Sequence, residues 1–310
     1  MTEATFLALP RVDPAGLRGG DADVVILGIP FGVPYPDPGP AGGCVEAPGA
    51  IRARSQRQAR FLGNHDFDLG GPLVPDGSAL RAVDAGDVPG SPDDGAGNSA
   101  RAEQAVRQIV ERGAIPILLG GDDSIPVPAL RAFDGRGPIT VVQVDAHLDF
   151  RDEVSGVREG YSSPMRRASE MAHVQRIIQV GLRGVGSARE SDVADAERAG
   201  NQLITARELR ERGVEWLLEQ VPADASVFLS FDLDGLDPFT APAVSGASPG
   251  GLEYGEASTL VQGLAGERRL LGAAFTELVP ALDPDGLSAL VVVRLVMQLM
   301  GGLARRTSKT

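Results

Sequence analysis

The stretch Ile139-Thr140-Val141-Val142-Gln143-Val144, continuing as Asp145-Ala146-His147-Leu148-Asp149, decides how this chain is read. Its first six residues are mostly apolar or β-branched, as in a strand covered on both faces. The next five turn polar at alternate positions, and on extended backbone Asp145, His147 and Asp149 share one face. Similar apolar runs occur at 24–29, 115–119, 176–180, 227–232 and 271–275. Between and around them lie stretches of helical period at 100–112, 163–172, 187–199, 206–220, 254–264 and 287–303. Doubly buried strands separated by amphipathic helices predict one α/β domain over residues 1–310, a three-layer fold with a mainly parallel sheet and helices on both faces. Residues 32–49 and 237–251 read as long ordered loops, 85–99 as a flexible crossover, and the tail from Arg305 as frayed.

Two more strand candidates end in acids. The run 115–119 passes into Gly120-Gly121-Asp122-Asp123-Ser124, and 227–231 into Asp232-Leu233-Asp234-Gly235-Leu236-Asp237-Pro238. In an open parallel sheet, sites form beyond the carboxyl ends of the strands, so the three endings are expected to meet in one crevice. Taken singly, a DxD after a strand is equally well explained by a helix cap and a solvated loop residue. Three converging endings demand a cation, because carboxylates a few ångströms apart otherwise hold protons. Oxygen ligands with one imidazole suit Mn²⁺, Mg²⁺ or another hard to borderline ion, and bridging carboxylates let two ions sit ~3.5–4 Å apart.

Composition narrows the alternatives. Of 310 residues, 29 are Lys or Arg and 42 are Asp or Glu, a formal charge of −13 that repels nucleic-acid phosphate and suits a small cationic ligand. The single lysine, Lys309, excludes Schiff-base and P-loop lysine chemistry, and the single cysteine, Cys44, excludes disulfide frameworks and thiolate zinc sites. The start Met1-Thr2-Glu3-Ala4 carries no signal-type segment and no run reaches the ~20 apolar residues of a membrane span, so a soluble cytoplasmic protein with no membrane partner is expected. Gly246-Ala247-Ser248-Pro249-Gly250 spells GxSxG, but Pro249 lacks the N–H an oxyanion hole needs. Gly184-Val185-Gly186 lacks the third glycine of a dinucleotide fingerprint. Cys44, His65 and His173 read as passive or structural.

These residues resemble the ureohydrolase superfamily of arginase, agmatinase and related guanidino-compound hydrolases. Besides the two aspartate motifs, the likeness takes in Ala47-Pro48-Gly49-Ala50-Ile51-Arg52, Gly120-Gly121-Asp122, Gly181-Leu182-Arg183 and Phe275-Thr276-Glu277-Leu278-Val279-Pro280. The resemblance implies an arginase-like fold and two metals, usually Mn²⁺, with Ni²⁺ or another divalent ion as alternatives. It implies that Asp145 and Asp232 bridge them, that Asp149 completes one site, and that His147 and Asp234 complete the other. It further implies that Glu277 accepts the substrate guanidinium, that Asp149 handles the proton, and that a metal-activated hydroxide releases urea and a primary amine. Members assemble as trimers or hexamers, so a homo-oligomer is expected.

Two positions depart from the pattern. Asp123 stands where the resemblance expects a histidine ligand, leaving Asp123, Asp145, Asp149 and Asp232 around one ion and favouring a harder metal. Tyr161 stands where a histidine is expected behind the substrate, a weaker proton carrier at neutral pH. The alternative reading is therefore a degenerate homologue that binds metal but has lost or changed catalysis. The segment Phe150-Arg151-Asp152-Glu153 resembles the agmatinase branch. The far end of the substrate stays open: Asp152, Glu153 and Glu159 suit an amine, Arg151 and Arg158 a carboxylate.

Overall fold

A computed structural model describes residues 4–37 and 39–307, so Lys309 and the first three residues lie outside the described residues. Eight parallel strands form one sheet in the order β2-β1-β3-β8-β7-β4-β5-β6. They are β1 (Val24–Ile29), β2 (Ala82–Asp87), β3 (Ile115–Gly120), β4 (Ile139–Val144), β5 (Val174–Leu182), β6 (Gln202–Thr205), β7 (Ser226–Asp232) and β8 (Arg269–Thr276). The helices are α1 (Ala47–Ser55), α2 (Gly95–Glu111), α3 (Pro126–Arg131), α4 (Pro164–Ser169), α5 (Glu190–Arg198), α6 (Ala206–Arg212), α7 (Val214–Gln220), α8 (Tyr254–Glu267) and α9 (Leu287–Thr307).

The alternation of strand side chains builds two cores. Val24 and Ile26 of β1 pack with α1 and α6 to α9, through Ile51, Leu209, Leu217, Leu260 and Val292. Val25 and Leu27 point the other way, onto Val106 of α2, Leu130 of α3, Met165 of α4 and Ala196 of α5. This is the expected three-layer α/β arrangement. Burial on both faces explains why β1 and β4 read as continuous apolar runs.

Several boundaries differ from the sequence reading. β2 was not expected, and its second half falls in the stretch read as a crossover, because its AVDAGD sequence carries a buried charge. Arg52 of α1 donates two bonds to Asp84, at 2.8 and 3.0 Å, and also pairs with Asp87, fastening α1 to the sheet edge. α1 occupies the end of the supposed loop, started by Pro48 in its first turn. α2 begins at Gly95, capped by Asp94, so little of 85–99 is a free crossover. The single helix expected over 206–220 is two, divided at Gly213, whose φ of 86° a helix cannot accommodate. The supposedly frayed tail is helical through Thr307. Contrary to the sequence reading, α9 has a membrane span's length and mean hydropathy (1.9), but 83% of that segment is buried inside the fold.

Candidate metal and guanidinium site

The four central strands β3, β8, β7 and β4 are neighbours, and each carries its acids at the carboxyl end. From β4, Asp145 is fully buried. Its Oδ1 accepts the His147 N–H at 2.6 Å and its Oδ2 accepts Gln143 Nε2 at 2.6 Å. Gln143 in turn accepts from Gln179, which accepts from Asn201 at 2.8 Å, so a chain of buried amides fixes Asp145 from behind. Sequence reasoning missed this support, although a glutamine inside each of two apolar strands was a visible signal.

From β7, Asp234 Oδ1 accepts the Ala146 N–H at 3.1 Å, while Oδ2 lies 3.0 Å from His147 Nδ1. Arg183 donates to the backbone carbonyls of Asp234, Leu236 and Ser248, bracing the turn that carries Asp234 against the loop beyond it. A Cβ on Gly246 would stand 2.7 Å from Asp234 Oδ2 and 2.8 Å from His147 Cε1. Both dismissed glycine motifs therefore border the site, since a Cβ on Gly186 would also meet His147, at 2.6 Å.

From β3 and β8, Asp123 and Glu277 hold one another. The Asp123 N–H donates to Glu277 Oε1 at 2.9 Å and the Glu277 N–H donates to Gly121 O at 2.9 Å. Ser245 donates to Glu277 Oε2, and the buried Cys44 Sγ approaches the same oxygen at 3.8 Å. Thr276 donates to Asp123 Oδ1 at 2.5 Å, whereas Asp123 Oδ2 is buried with no hydrogen-bond partner.

Two ligand groups result. Asp123, Asp145 and Asp149 form one, and Asp145, His147 and Asp234 the other, with the offered atoms of each within 4.8 Å of one another. Asp232 lies in the cleft wall beside them, its Oδ1 accepting the Asp234 N–H at 2.8 Å, and is not a member of either tightest group. Burial and the neighbouring anions raise the pKa of Asp123, Asp149 and Asp232 well above the carboxylate range. Burial and Asp234 push Asp145 up to about 7. Hydrogen bonding to Asp145 and Asp234 pushes His147 up to about 10. Burial, then Asp122, pushes Glu277 up to about 8. Protons here stand in for missing positive charge. The orphaned Asp123 oxygen and the space kept by Gly246 fit divalent ions.

His147, Asp149, Asp232, Asp234 and Glu277 line a cleft of about 220 Å³ with Ala41, Tyr161, Ser162, Ser187, Ser245 and Gly246, and Asp123 and Asp145 are buried behind its wall. A larger cavity of about 590 Å³ opens between β2 and α2 but touches none of the clustered acids, so size does not mark the chemistry. Tyr161 packs its ring 4.4 Å from that of Tyr35, and burial pushes its hydroxyl up to about 12. Among the candidates for the far end of the substrate, Arg151 borders the cleft through Ser187 and the others do not line it. Arg151 donates to Ser187 O, Arg158 and Arg167 pair with Asp152, Glu159 pairs with Arg131, and Glu153 is exposed. His173 bonds Leu130 O at 3.0 Å and His65 packs on Phe67, both away from the cleft.

The model of the arginase family matches residues 22–301. The chain belongs to the arginase family. It is similar to the guanidinopropionase of Pseudomonas aeruginosa, 31% identical over 99% of this chain and 93% of that protein. In structure it is similar to the proclavaminate amidinohydrolase of Streptomyces clavuligerus, with a TM-score of 0.82 and 28% identity over 99% of this chain and 98% of that one. It is also similar to the formiminoglutamase of Trypanosoma cruzi, solved with Mn²⁺, at a TM-score of 0.79 and 25% identity over 98% and 99%. Family membership makes this chain a hydrolase of the amidinohydrolase type acting on guanidino compounds, in a family that depends on a binuclear metal centre.

Proposed function

We propose that this enzyme hydrolyses a linear guanidino compound to urea and an amine, and that its far end carries an amine or no charge, as in agmatine, rather than a carboxylate. The observation that carries this reading is the placement of Glu277, a buried carboxylate fixed by three donors, in the same cleft as His147, Asp149 and Asp234 of the two ligand groups. A planar guanidinium offers paired N–H groups that match such a carboxylate. Divalent ions held by Asp123, Asp145, His147, Asp149, Asp232 and Asp234, Mn²⁺ first among them, would lower the pKa of water toward neutrality and supply the nucleophile. Glu277 holds the cation in line with that group. Asp149 takes a proton from the attacking water and returns one to the departing nitrogen. Tyr161, protonated at neutral pH, donates a hydrogen bond at the cleft wall.

Among the described residues lining the cleft, His147 is the only basic side chain; Arg151 borders the cleft but is engaged by the Ser187 carbonyl and Asp192, and Arg158 pairs with Asp152. The likeness to a guanidinopropionase thus guides the reaction but not the tail. A homo-oligomer, a trimer or hexamer, completes the proposal. The test is urea release from agmatine, arginine, guanidinobutyrate, guanidinopropionate and guanidine, with Mn²⁺, Ni²⁺, Zn²⁺ or no metal. Agmatine or an uncharged guanidine should lead. A guanidino acid turned over fastest refutes the reading of the tail, and silence across the panel with metal bound refutes the reaction.

A further inference from the structure

The two ligand groups share Asp145 but differ in chemistry. Asp123, Asp145 and Asp149 offer only carboxylate oxygens, and their residues are 1%, 0% and 6% exposed. The other group contains an imidazole, with His147 Nδ1 lying 3.0 Å from Asp234 Oδ2 and 3.5 Å from Asp145 Oδ1. Asp123 sets the difference. Its Oδ1 is spoken for by Thr276, and its Oδ2, buried and unpartnered, is left as a ligand atom with no other use. On the other side, the bare Cα positions of Gly186 and Gly246 leave His147 the room to keep its nitrogen beside Asp234. Anionic oxygen ligands suit hard ions such as Mg²⁺ and Mn²⁺, whereas imidazole raises preference for Zn²⁺ and Ni²⁺.

We infer that the chain assembles a mixed two-ion centre, with a hard ion held by Asp123, Asp145 and Asp149 and a borderline ion held by Asp145, His147 and Asp234. The inference rests on the metal-dependent reading above and adds that the two positions select different metals. Zinc exceeds manganese in affinity at most sites, so the prediction concerns order: zinc takes the imidazole position well before the all-oxygen one.

The experiment loads the full-length protein with Mn²⁺, removes the excess, and titrates Zn²⁺ while free Mn²⁺ is read from its six-line paramagnetic resonance signal. The first equivalent of Zn²⁺ should release one Mn²⁺ per chain, and the second should leave only at free zinc about tenfold higher or more. The variant Asp123→His, which places an imidazole at both positions, should release both ions over one range. The variant His147→Asn should lose the early release and keep the manganese held by the other group. Single-phase release of both ions from the wild-type protein overturns the inference, as does an unchanged two-phase release from Asp123→His. If that single-phase protein still releases urea, only the mixed centre falls. If the wild-type protein takes up no manganese at all, the metal-dependent reading falls with it.

Discussion

Replacing Glu277 by Gln removes one charge while leaving the shape of the side chain nearly intact. The carboxylate accepts the Asp123 N–H at 2.9 Å on one oxygen, and the Ser245 hydroxyl and Cys44 thiol on the other. A backbone N–H cannot reverse its role, but a hydroxyl can. The glutamine therefore seats its carbonyl toward Asp123 and its NH₂ toward Ser245, whose oxygen then accepts. Because burial pushes Glu277 up to about 8, the ligand-free protein at pH 7 already holds this group largely protonated, and the neutral amide resembles it. The melting temperature of the metal-free variant should stay within about 2 °C of wild type. Catalysis is a different matter, since a guanidinium drives the proton off and pairs with the charge. Hydrogen bonds to a charged partner contribute roughly 1.5–3 kcal/mol, so kcat/KM should fall about 10- to 150-fold. Steady-state urea release on protein of matched metal content measures this. A variant within about threefold of wild type would refute the assignment of Glu277 as the guanidinium acceptor.

Three further outcomes follow from the same geometry. Asp145 and Glu277, raised to about 7 and about 8, hold more protons folded than unfolded as pH rises from the unfolded carboxylate range, and His147, raised to about 10, acts in the same direction above its unfolded value. The metal-free protein should therefore lose stability from pH 5 to pH 9, with a gap to the Mn²⁺-loaded protein that widens with pH; thermal melts that rise with pH without metal would contradict this. Gly246→Ala drives a Cβ to 2.7 Å from Asp234 Oδ2, so metal affinity at the imidazole position should drop about tenfold or more by calorimetry, and an unchanged affinity would show that the glycine is not needed there. Tyr161→Phe keeps the ring against Tyr35 and loses a hydroxyl whose pKa is pushed up to about 12, so kcat should fall less than about tenfold with its alkaline limb in place; loss of that limb would make the phenol the titrating group.

The strands and the acids at their ends were legible because both depend on local pattern. An apolar run covered on two faces reads as a buried strand, and an abrupt Asp-x-His-x-Asp after it has few structural uses. β2 was not legible, since Asp84 and Gly86 interrupt its apolar pattern and only Arg52, some thirty residues earlier in the chain, makes the buried charge acceptable. α3 was missed because its six residues are too few to show a helical period, and Pro126 and Pro128 stand in its first turn, where proline is tolerated. The support of the site was partly hidden for a similar reason. Gln143, Gln179 and Asn201 gain meaning only when β4 and β5 align in register, and the sequence alone does not print that register. The choice between an amine and an acid at the far end of the substrate failed because charged loop residues near a motif in sequence pair with one another, as Arg158 does with Asp152, instead of facing the cleft.

Backbone conformation joins these observations. Among the described residues, only five other than glycine have positive φ, and two of them are Asp149, at 49°, and Glu277, at 66°. Each such conformation costs of order 1–3 kcal/mol and persists only where the surroundings over-determine it. For Glu277, the Gly121 carbonyl accepts its N–H while Asp123 and Ser245 hold its carboxylate. For Asp149, the carbonyl accepts the Met165 N–H at 3.1 Å at the start of α4. Glu277 directly follows β8, and Asp149 lies five residues past the end of β4. The left-handed turn brings the carboxylates back over the ends of β3 and β4, where the other acids lie. Periodicity cannot announce that turn, because it records which face a residue uses and not where the chain abandons the strand. The cost is absorbed by a sheet buried on both faces, and the same rigid ends of β3, β8, β7 and β4 that tolerate the strain also hold the clustered carboxyl groups together.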